Sequence, residues 1–111
     1  MKKVSIVCAV LSIICFTANA SYAQSWAKTY GGTSDDSANS VQQTKDNGYI
    51  VAGSTQSFGA GSEDVWVMKL DSSGPMQWQK TYGGIYSDRA YSVQQTGDGG
   101  YIVAGTTSWC K

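Results

Sequence analysis

Short runs of apolar residues, many of them β-branched or aromatic, alternate along this chain with turns rich in glycine, asparagine and aspartate. The apolar residues do not recur at the three- and four-residue spacing that an amphipathic helix requires. The runs have the composition of β-strands, and the turns between them are typical of hairpins. The pattern therefore predicts an all-β chain.

One unit of this pattern contains four predicted strands. The last of them, "MQWQKTY", alternates apolar and aromatic residues with polar ones, which indicates one buried and one solvated face. The middle strands, "YIVAGST" and "DVWVMKLD", are apolar on both faces, so we expect both of their faces to be buried. The predicted strands are Asn39–Thr44, Tyr49–Thr55, Asp64–Asp71 and Met76–Tyr82, joined by turns at Asp46–Gly48, Gly59–Gly61 and Ser72–Gly74.

A long internal repeat organises the chain. Trp26–Thr55 and Trp78–Thr107 are identical at 21 of 30 positions, and the two copies begin 52 residues apart. This period is close to the roughly 40 to 50 residues of a β-propeller blade and far from the periods of leucine-rich, ankyrin and tetratricopeptide repeats. Middle strands buried on both sides also suit a blade that lies between neighbouring blades. We therefore predict antiparallel β-propeller-type blades.

The repeat is similar to those of a family of secreted or surface proteins of bacteria and archaea. Those proteins string together the motifs W-x-K-T-Y-G-G, D-x-A-x-S-x-Q-Q-T-x-D-G-G-Y-I-V-A-G and F-G-A-G-x-x-D-x-W-x-x-K-L-D-x-x-G, and their arrays resemble β-propellers. The likeness covers Trp26–Thr107. It implies a propeller architecture and an extracellular location, and it brings no catalytic residues. The matching positions include Asp36, Ala38, Gln42, Gln43, Asp46, Gly48, Asp64, Trp66, Lys69 and Asp71.

The array holds about one and three-quarter repeats, with repeat 1 at 26–77 and a partial repeat 2 at 78–107. These repeats supply an outer strand (Trp26–Tyr30), one complete blade, and two strands of a second blade (Ala90–Thr96 and Tyr101–Thr107). A propeller needs about four to eight blades. We therefore expect a truncated array that is incomplete as a monomer.

An incomplete array exposes apolar faces and unpaired strand edges, which favours self-association. The outer strand Trp26–Tyr30 of one copy could join the two-strand blade of another copy, although that composite blade would lack its third strand. For this reason we expect loose association rather than a closed ring.

The first 23 residues have the order of regions that is typical of a secretory signal peptide. Two lysines precede an apolar run of 13 residues, Val4 to Phe16, and small and polar residues follow as far as Ala23. The run is shorter than the roughly 20 residues of a membrane-spanning helix. We expect cleavage after Ala23, with Ala20 as the lesser alternative, and no stable membrane span. The repeat region 24–111 is then secreted, either extracellular or periplasmic, or held at the cell surface.

Residues 24–111 carry eight acidic and six basic side chains, a net charge of −2. This balance does not attract nucleic acid or anionic lipid. Cys110 is the single cysteine in this region, so an intrachain disulfide has no second thiol. An intermolecular bridge and an unpaired thiol near the end of the chain are the two interpretations.

The sequence contains no histidine, which is the commonest general base and a frequent zinc ligand. Asp35 and Asp36 could form a carboxylate pair or a calcium site, but only Asp36 recurs in the second copy, as Asp88. A loop-capping aspartate that accepts hydrogen bonds from backbone amides is the better interpretation. "KDNG" and "GDGG" lack the ligand series of a calcium loop and are predicted to be hairpin turns. We predict no catalytic residue, no cofactor and no metal site.

Three aromatic residues of the second copy, Tyr86, Tyr91 and Trp109, stand where the first copy has small polar residues. Aromatic rings beside amides and carboxylates can stack on sugars, although packing between blades is the simpler interpretation. We expect a non-enzymatic scaffold or binding module for an extracellular protein or carbohydrate. An oligomeric carbohydrate-binding lectin and the remnant of an extracellular propeller enzyme are the alternatives.

In a bacterial host that exports the protein, the exported species should begin at Gln24, because the basic, apolar and small-residue regions before it have the order of a cleavable signal. Amino-terminal sequencing and the intact mass measure this directly. A chain of 111 residues that stays in the cytoplasm would contradict the predicted location.

Overall fold

The computed structural model describes residues 2–8 and 25–109. The predicted cleavage sites at Ala20 and Ala23, and Cys110, lie outside these residues. The described residues form eight strands and no helix, so none of them belongs to a helix that could cross a membrane. The strands are β1 Val4–Cys8, β2 Trp26–Tyr30, β3 Asp36–Gln43, β4 Tyr49–Thr55, β5 Asp64–Leu70, β6 Met76–Tyr82, β7 Asp88–Gln95 and β8 Tyr101–Thr107.

The strands build three antiparallel sheets, which confirms the predicted all-β class. The central sheet has the order β3-β4-β5-β6, so the four strands predicted for one unit lie side by side in chain order. The pairs β1-β2 and β7-β8 form separate two-stranded sheets. Short hairpin connections explain this order, because each turn returns the chain beside the strand it has just left.

The strands β3 and β7 begin earlier than predicted. We expected Asn39 and Ala90 as starting residues, but β3 begins at Asp36 and β7 at Asp88. A bulge between Ala38 and Ser40 adds one residue to β3, and pairing then continues to Asp36 opposite Thr55. The alternation of residue types stops at the bulge, so the periodicity does not reveal the paired residues before it.

The hairpin turns are confirmed at both "KDNG" and "GDGG". In the first, the Thr44 N–H donates to the Gly48 carbonyl at 2.9 Å, and Asn47 has a φ of 65°. In the second, the Thr96 N–H donates to the Gly100 carbonyl at 2.9 Å, and Gly99 has a φ of 85°. Asparagine and glycine tolerate positive φ better than other residues, which is why they stand at these positions.

The core lies on both faces of the central sheet. One face buries Val51, Trp66, Met68 and Leu70 against Val4 of β1 and Tyr30 of β2. The other face buries Ile50, Ala52 and Val67 against Ala90 and Val93 of β7. The prediction that β4 and β5 are buried on both faces is therefore confirmed.

The strand β1 lies within the predicted signal segment and pairs with β2 along five residues, from Val4 opposite Tyr30 to Cys8 opposite Trp26. We expected β2 to be a lone outer strand. In the 111-residue chain that expectation is wrong, because the "VSIV" segment has the β-branched composition of a strand and supplies β2 with an edge partner.

Trp66 is the largest fully buried side chain of the core. Its indole N–H donates to Gln79 Oε1 at 2.8 Å, and its ring lies 5.7 Å from the ring of Phe58. Asp35, in contrast, is exposed in the loop before β3, where its carboxylate accepts the Lys2 N–H at 2.7 Å.

Trp66→Ala should lower the free energy of unfolding by about 3 to 5 kcal/mol, because it empties a buried aromatic site. Asp35→Ala should cost less than about 1 kcal/mol, as is usual for an exposed position. Chemical denaturation of both variants measures the two costs. Equal costs would mean that the core lies elsewhere.

Candidate binding groove

A groove of about 1020 Å³ lies between the face of β5 and β6 and the hairpin of β7 and β8. We call it the β6–β8 groove. Its apolar walls are Val65, Val67, Trp78, Tyr82, Tyr101 and Val103, and its polar lining includes Lys80, Asp88 and Arg89.

The groove is open because β8 has a neighbour on one edge only among the described residues. The segment "YIVAG" occurs in both β4 and β8, yet its burial differs between them. Ile50 and Val51 are fully buried in β4, whereas Ile102 is 61% and Val103 is 36% exposed in β8. In the first copy β5 covers the edge of β4. The free edge and face of β8 are therefore unused packing surface.

The same aromatic contact joins neighbouring sheets at two places, one repeat apart. The rings of Trp78 and Tyr101 meet edge to face with centroids 5.8 Å apart. Trp26 and Tyr49, their equivalents one repeat earlier, meet at 5.9 Å. The hairpin of β7 and β8 thus packs on the central sheet through the same aromatic pair that joins β2 to β4.

An ion pair connects β7 to the central sheet near the groove. Arg89 Nη2 lies 2.7 Å from Glu63 Oε2, and Ser54 Oγ donates to Glu63 Oε1 at 2.6 Å. The hydrogen bond from Arg89 is the main reason that the pKa of the Glu63 carboxyl is lowered, although burial opposes it. The Asp88 N–H also donates to the Glu63 carbonyl at 2.7 Å. These contacts hold the start of β7 against the central sheet.

The loop-capping role predicted for Asp36 and Asp88 is confirmed. Asp36 is buried and accepts the Gly32 N–H at 3.0 Å, together with hydroxyl groups of Thr55 and Ser57. Asp88 accepts the Gly84 N–H at 2.9 Å. Its pKa is lowered mainly by the hydrogen bond from Thr107 and then by the one from Gly84.

A third aspartate, Asp64, has the same role but was not predicted from the sequence. It is buried at the start of β5 and accepts the Gly61 N–H at 3.0 Å. A Cβ atom at Gly83 would lie 2.5 Å from a carboxylate oxygen of Asp64 and equally close to one of Asp88. Glycine is therefore required where these two loops meet. The sequence feature that could have indicated this loop-capping role is the position of Asp64, three residues after Gly61 and at the first residue of a strand.

The three aromatic residues that were considered for a sugar-binding cleft, with packing between blades as the simpler interpretation, do not line the β6–β8 groove. Tyr86, Tyr91 and Trp109 are all exposed, on a loop, on β7 and beyond β8. The aromatic residues that do line the groove are Trp78, Tyr82 and Tyr101. In the sequence these residues belong to repeated strand motifs, so their aromatic character indicated packing. The sequence alone does not show that they line an open groove beside the second copy.

Lys69 is a buried cation that the sequence reasoning did not single out. Its Nζ atom lies 2.9 Å from Asp46 Oδ2 and donates to Gln77 Oε1 and the Leu70 carbonyl, each at 3.1 Å. The pKa of Asp46 is strongly lowered, first by the hydrogen bond from Thr44 and then by the one from Lys69. Asp98, the equivalent residue of the second turn, has contacts with Thr96 and Gly100.

No group of three or more histidine, cysteine, aspartate or glutamate side chains suited to a metal ion occurs within residues 2–8 and 25–109. Comparison of the chain with family models, with curated proteins and with solved structures finds no match.

Asp46→Asn and Asp98→Asn should both lower stability at pH 7, with the larger loss for Asp46→Asn. Both carboxyls have lowered pKa values, so their stabilising effect is complete above about pH 4, the unfolded-state pKa, and is lost as the pH falls through the folded-state value. Asp46→Asn also leaves the buried Lys69 ammonium without its counter-charge.

Urea denaturation at pH 7 and pH 2.5 measures this difference. Asp98→Asn is the matched control, since its turn has the same hydrogen bonds to a hydroxyl and a glycine N–H. The difference in the free energy of unfolding between wild type and each variant should be smaller at pH 2.5 than at pH 7. Equal losses in the two variants at pH 7 would show that Lys69 contributes nothing through Asp46.

Proposed function

We propose that this chain is a secreted, non-enzymatic repeat scaffold or binding module, built from β-propeller-type blades, which binds a protein partner through the β6–β8 groove. The observation that carries this proposal is the contrast between two copies of one segment. Ile50 and Val51 are fully buried, and Ile102 and Val103 are exposed. An apolar strand with one free edge is a surface that extended peptides join by adding a strand.

The propeller-type assignment is supported by the central sheet. It has four antiparallel strands in chain order, and other sheets of the same chain pack on both of its faces. This is the environment of a blade between two neighbours. The 52-residue repeat and the equivalent Trp–Tyr contacts on the two faces support the same assignment.

The non-enzymatic assignment is supported by the way the carboxylates are used. Asp36, Asp64 and Asp88 each accept a backbone N–H in a loop, and Glu63 pairs with Arg89. The pKa values of Asp88 and Glu63 are lowered, which weakens them as general bases at neutral pH. Secretion is supported by the order of basic, apolar and small residues in the first 23 residues.

A carbohydrate ligand is the second candidate, because Trp78, Tyr82 and Tyr101 line the groove beside Lys80, Asp88 and Arg89. Aromatic rings next to charged side chains are common in sugar sites. The free edge of β8 favours a protein strand over a sugar, since it offers a row of backbone donors and acceptors along the groove.

Arrays of extended peptides rich in valine, isoleucine and tryptophan, and arrays of glycans, should be probed in parallel with the exported protein. We expect peptide binding that Val103→Lys abolishes, because a charge on the groove wall must be desolvated when a strand binds. Ile85→Lys is the matched control, since Ile85 is 71% exposed and does not line the groove.

Glycan binding that Trp78→Ala abolishes would favour the lectin over the peptide-binding module. Equal peptide binding by wild type and Val103→Lys would show that the β6–β8 groove is not the binding site.

A further inference from the structure

We propose that β1 of a second copy of this chain completes the β6–β8 groove. The copies then associate head to tail. Each contact forms a composite blade in which β7 and β8 of one copy lie beside β1 and β2 of the next. The inference rests on the part of the proposed function that assigns protein binding to this groove, and it concerns the chain that retains residues 2–8 and not a chain cleaved after Ala23.

The register of β1 is the observation that carries this inference. In the central sheet β5 pairs with β6 from Val65 opposite Tyr82 to Lys69 opposite Trp78. The pairing of β1 with β2 runs from Val4 opposite Tyr30 to Cys8 opposite Trp26. Tyr30 and Trp26 are the repeat equivalents of Tyr82 and Trp78. Residues 4–8 thus occupy the third-strand position of a blade in the same register as residues 65–69.

A backbone contact outside the strands repeats as well. The Asp88 N–H donates to the carbonyl of Glu63, two residues before Val65, at 2.7 Å. The Asp36 N–H donates to the carbonyl of Lys2, two residues before Val4, at 2.9 Å. The amino-terminal segment therefore reproduces the third strand in its pairing and in its link to the following sheet.

The hairpin beside the groove lacks a third strand, which is the position that β1 occupies next to β2. The hairpin of β7 and β8 has the first two strands of a blade, and β1 with β2 has the third and fourth. In the central sheet Val51 pairs with Met68. The repeat equivalents of these two residues are Val103 and Val7, which are 36% and 69% exposed. Pairing of β8 with β1 of a second copy would place Val103 opposite Val7 and bury both.

The other end of the chain shows the complementary exposed surface. Val41 of β3 is 57% exposed, whereas Val93, its equivalent in β7, is 6% exposed because the central sheet covers it. A hairpin of β7 and β8 from a second copy, added beside β1, would cover Val41 as the central sheet covers Val93. One contact therefore buries apolar residues at both ends of the chain.

The composite blade is less well packed than the central one. Ser5 of β1 stands at the register position that Trp66 occupies in β5. A serine leaves most of the space of a tryptophan unfilled, so the contact is weaker than the packing within the central sheet. Ser5→Trp should accordingly strengthen the association.

Each copy supplies one whole blade and one composite blade. Because β1 supplies the third strand whose absence favoured loose association, a closed ring of about four to eight blades becomes possible and needs two to four copies. The association requires residues 2–8 and belongs to the chain that retains them. Cleavage after Ala23 would remove the donor strand and leave the acceptor groove.

The test uses the full 111-residue chain produced in a cytoplasm, with light scattering after size separation over a range of concentrations. Wild type should have about two to four times the monomer mass. Val7→Lys and Val103→Lys should each be monomeric, because each places a charge in the paired position. Both sites are exposed in the single chain, so the variants should retain their strand content and thermal melts.

An equal mixture of the two variants is the decisive sample. The Val7→Lys chain keeps an intact β8 and the Val103→Lys chain keeps an intact β1, so the mixture should form dimers of one of each. Ile85→Lys should associate like wild type. Ser5→Trp should lower the dissociation constant of the association about tenfold or more. Addition of Val103→Lys to Ser5→Trp should abolish that gain.

A monomeric wild-type chain, or a mixture of the two variants that stays monomeric, would overturn the head-to-tail contact. Val7→Lys that still associates would overturn the role of β1. If peptide arrays still show binding that Val103→Lys abolishes, the groove remains a protein-binding site and this inference alone fails. If that binding is absent as well, the proposed function also fails.

Discussion

A strand that is apolar on both faces needs neighbours on four sides, two at its edges and two on its faces, and this requirement shapes the whole molecule. The strand β5 has all four: β4 and β6 at its edges, β1 with β2 on one face and β7 on the other. Its residues Trp66, Met68 and Leu70 are consequently almost completely buried. The strand β8 has nearly the sequence of β4 but, among the described residues, pairs with β7 alone, and the β6–β8 groove results from this difference.

The polar residues of the repeat serve the same packing. Asp36, Asp64 and Asp88 stand at the first residues of β3, β5 and β7 and accept backbone N–H groups from the preceding loops. Lys69 is buried with Asp46 as its counter-charge. Charged groups in these positions are retained because their hydrogen bonds offset the cost of removing them from water. These charged side chains therefore make structural contacts within the described residues.

Residues 4–7 suit two different environments. An apolar, β-branched run after two lysines is typical of a signal segment, and its composition is equally that of a buried strand. In the 111-residue chain Val4 is buried against the central sheet, while Ser5 and Val7 face away from it. The same few side chains therefore have the composition of a signal segment and, in this chain, form the strand that pairs with β2.

The sequence by itself determined what local chemistry controls. Alternation of residue types predicted the strands, asparagine and glycine predicted the hairpin turns, and recurrence in the repeat identified Asp36 and Asp88 as loop caps. Only the tertiary structure decided the contacts between residues far apart in the chain. It extended β3 to Asp36 through a bulge, paired Val4 with Tyr30, joined Lys69 to Asp46, and left Tyr86, Tyr91 and Trp109 outside the groove. The physical reason is that "GYIVAG" is identical in both copies, and its burial depends on which other strands lie beside it.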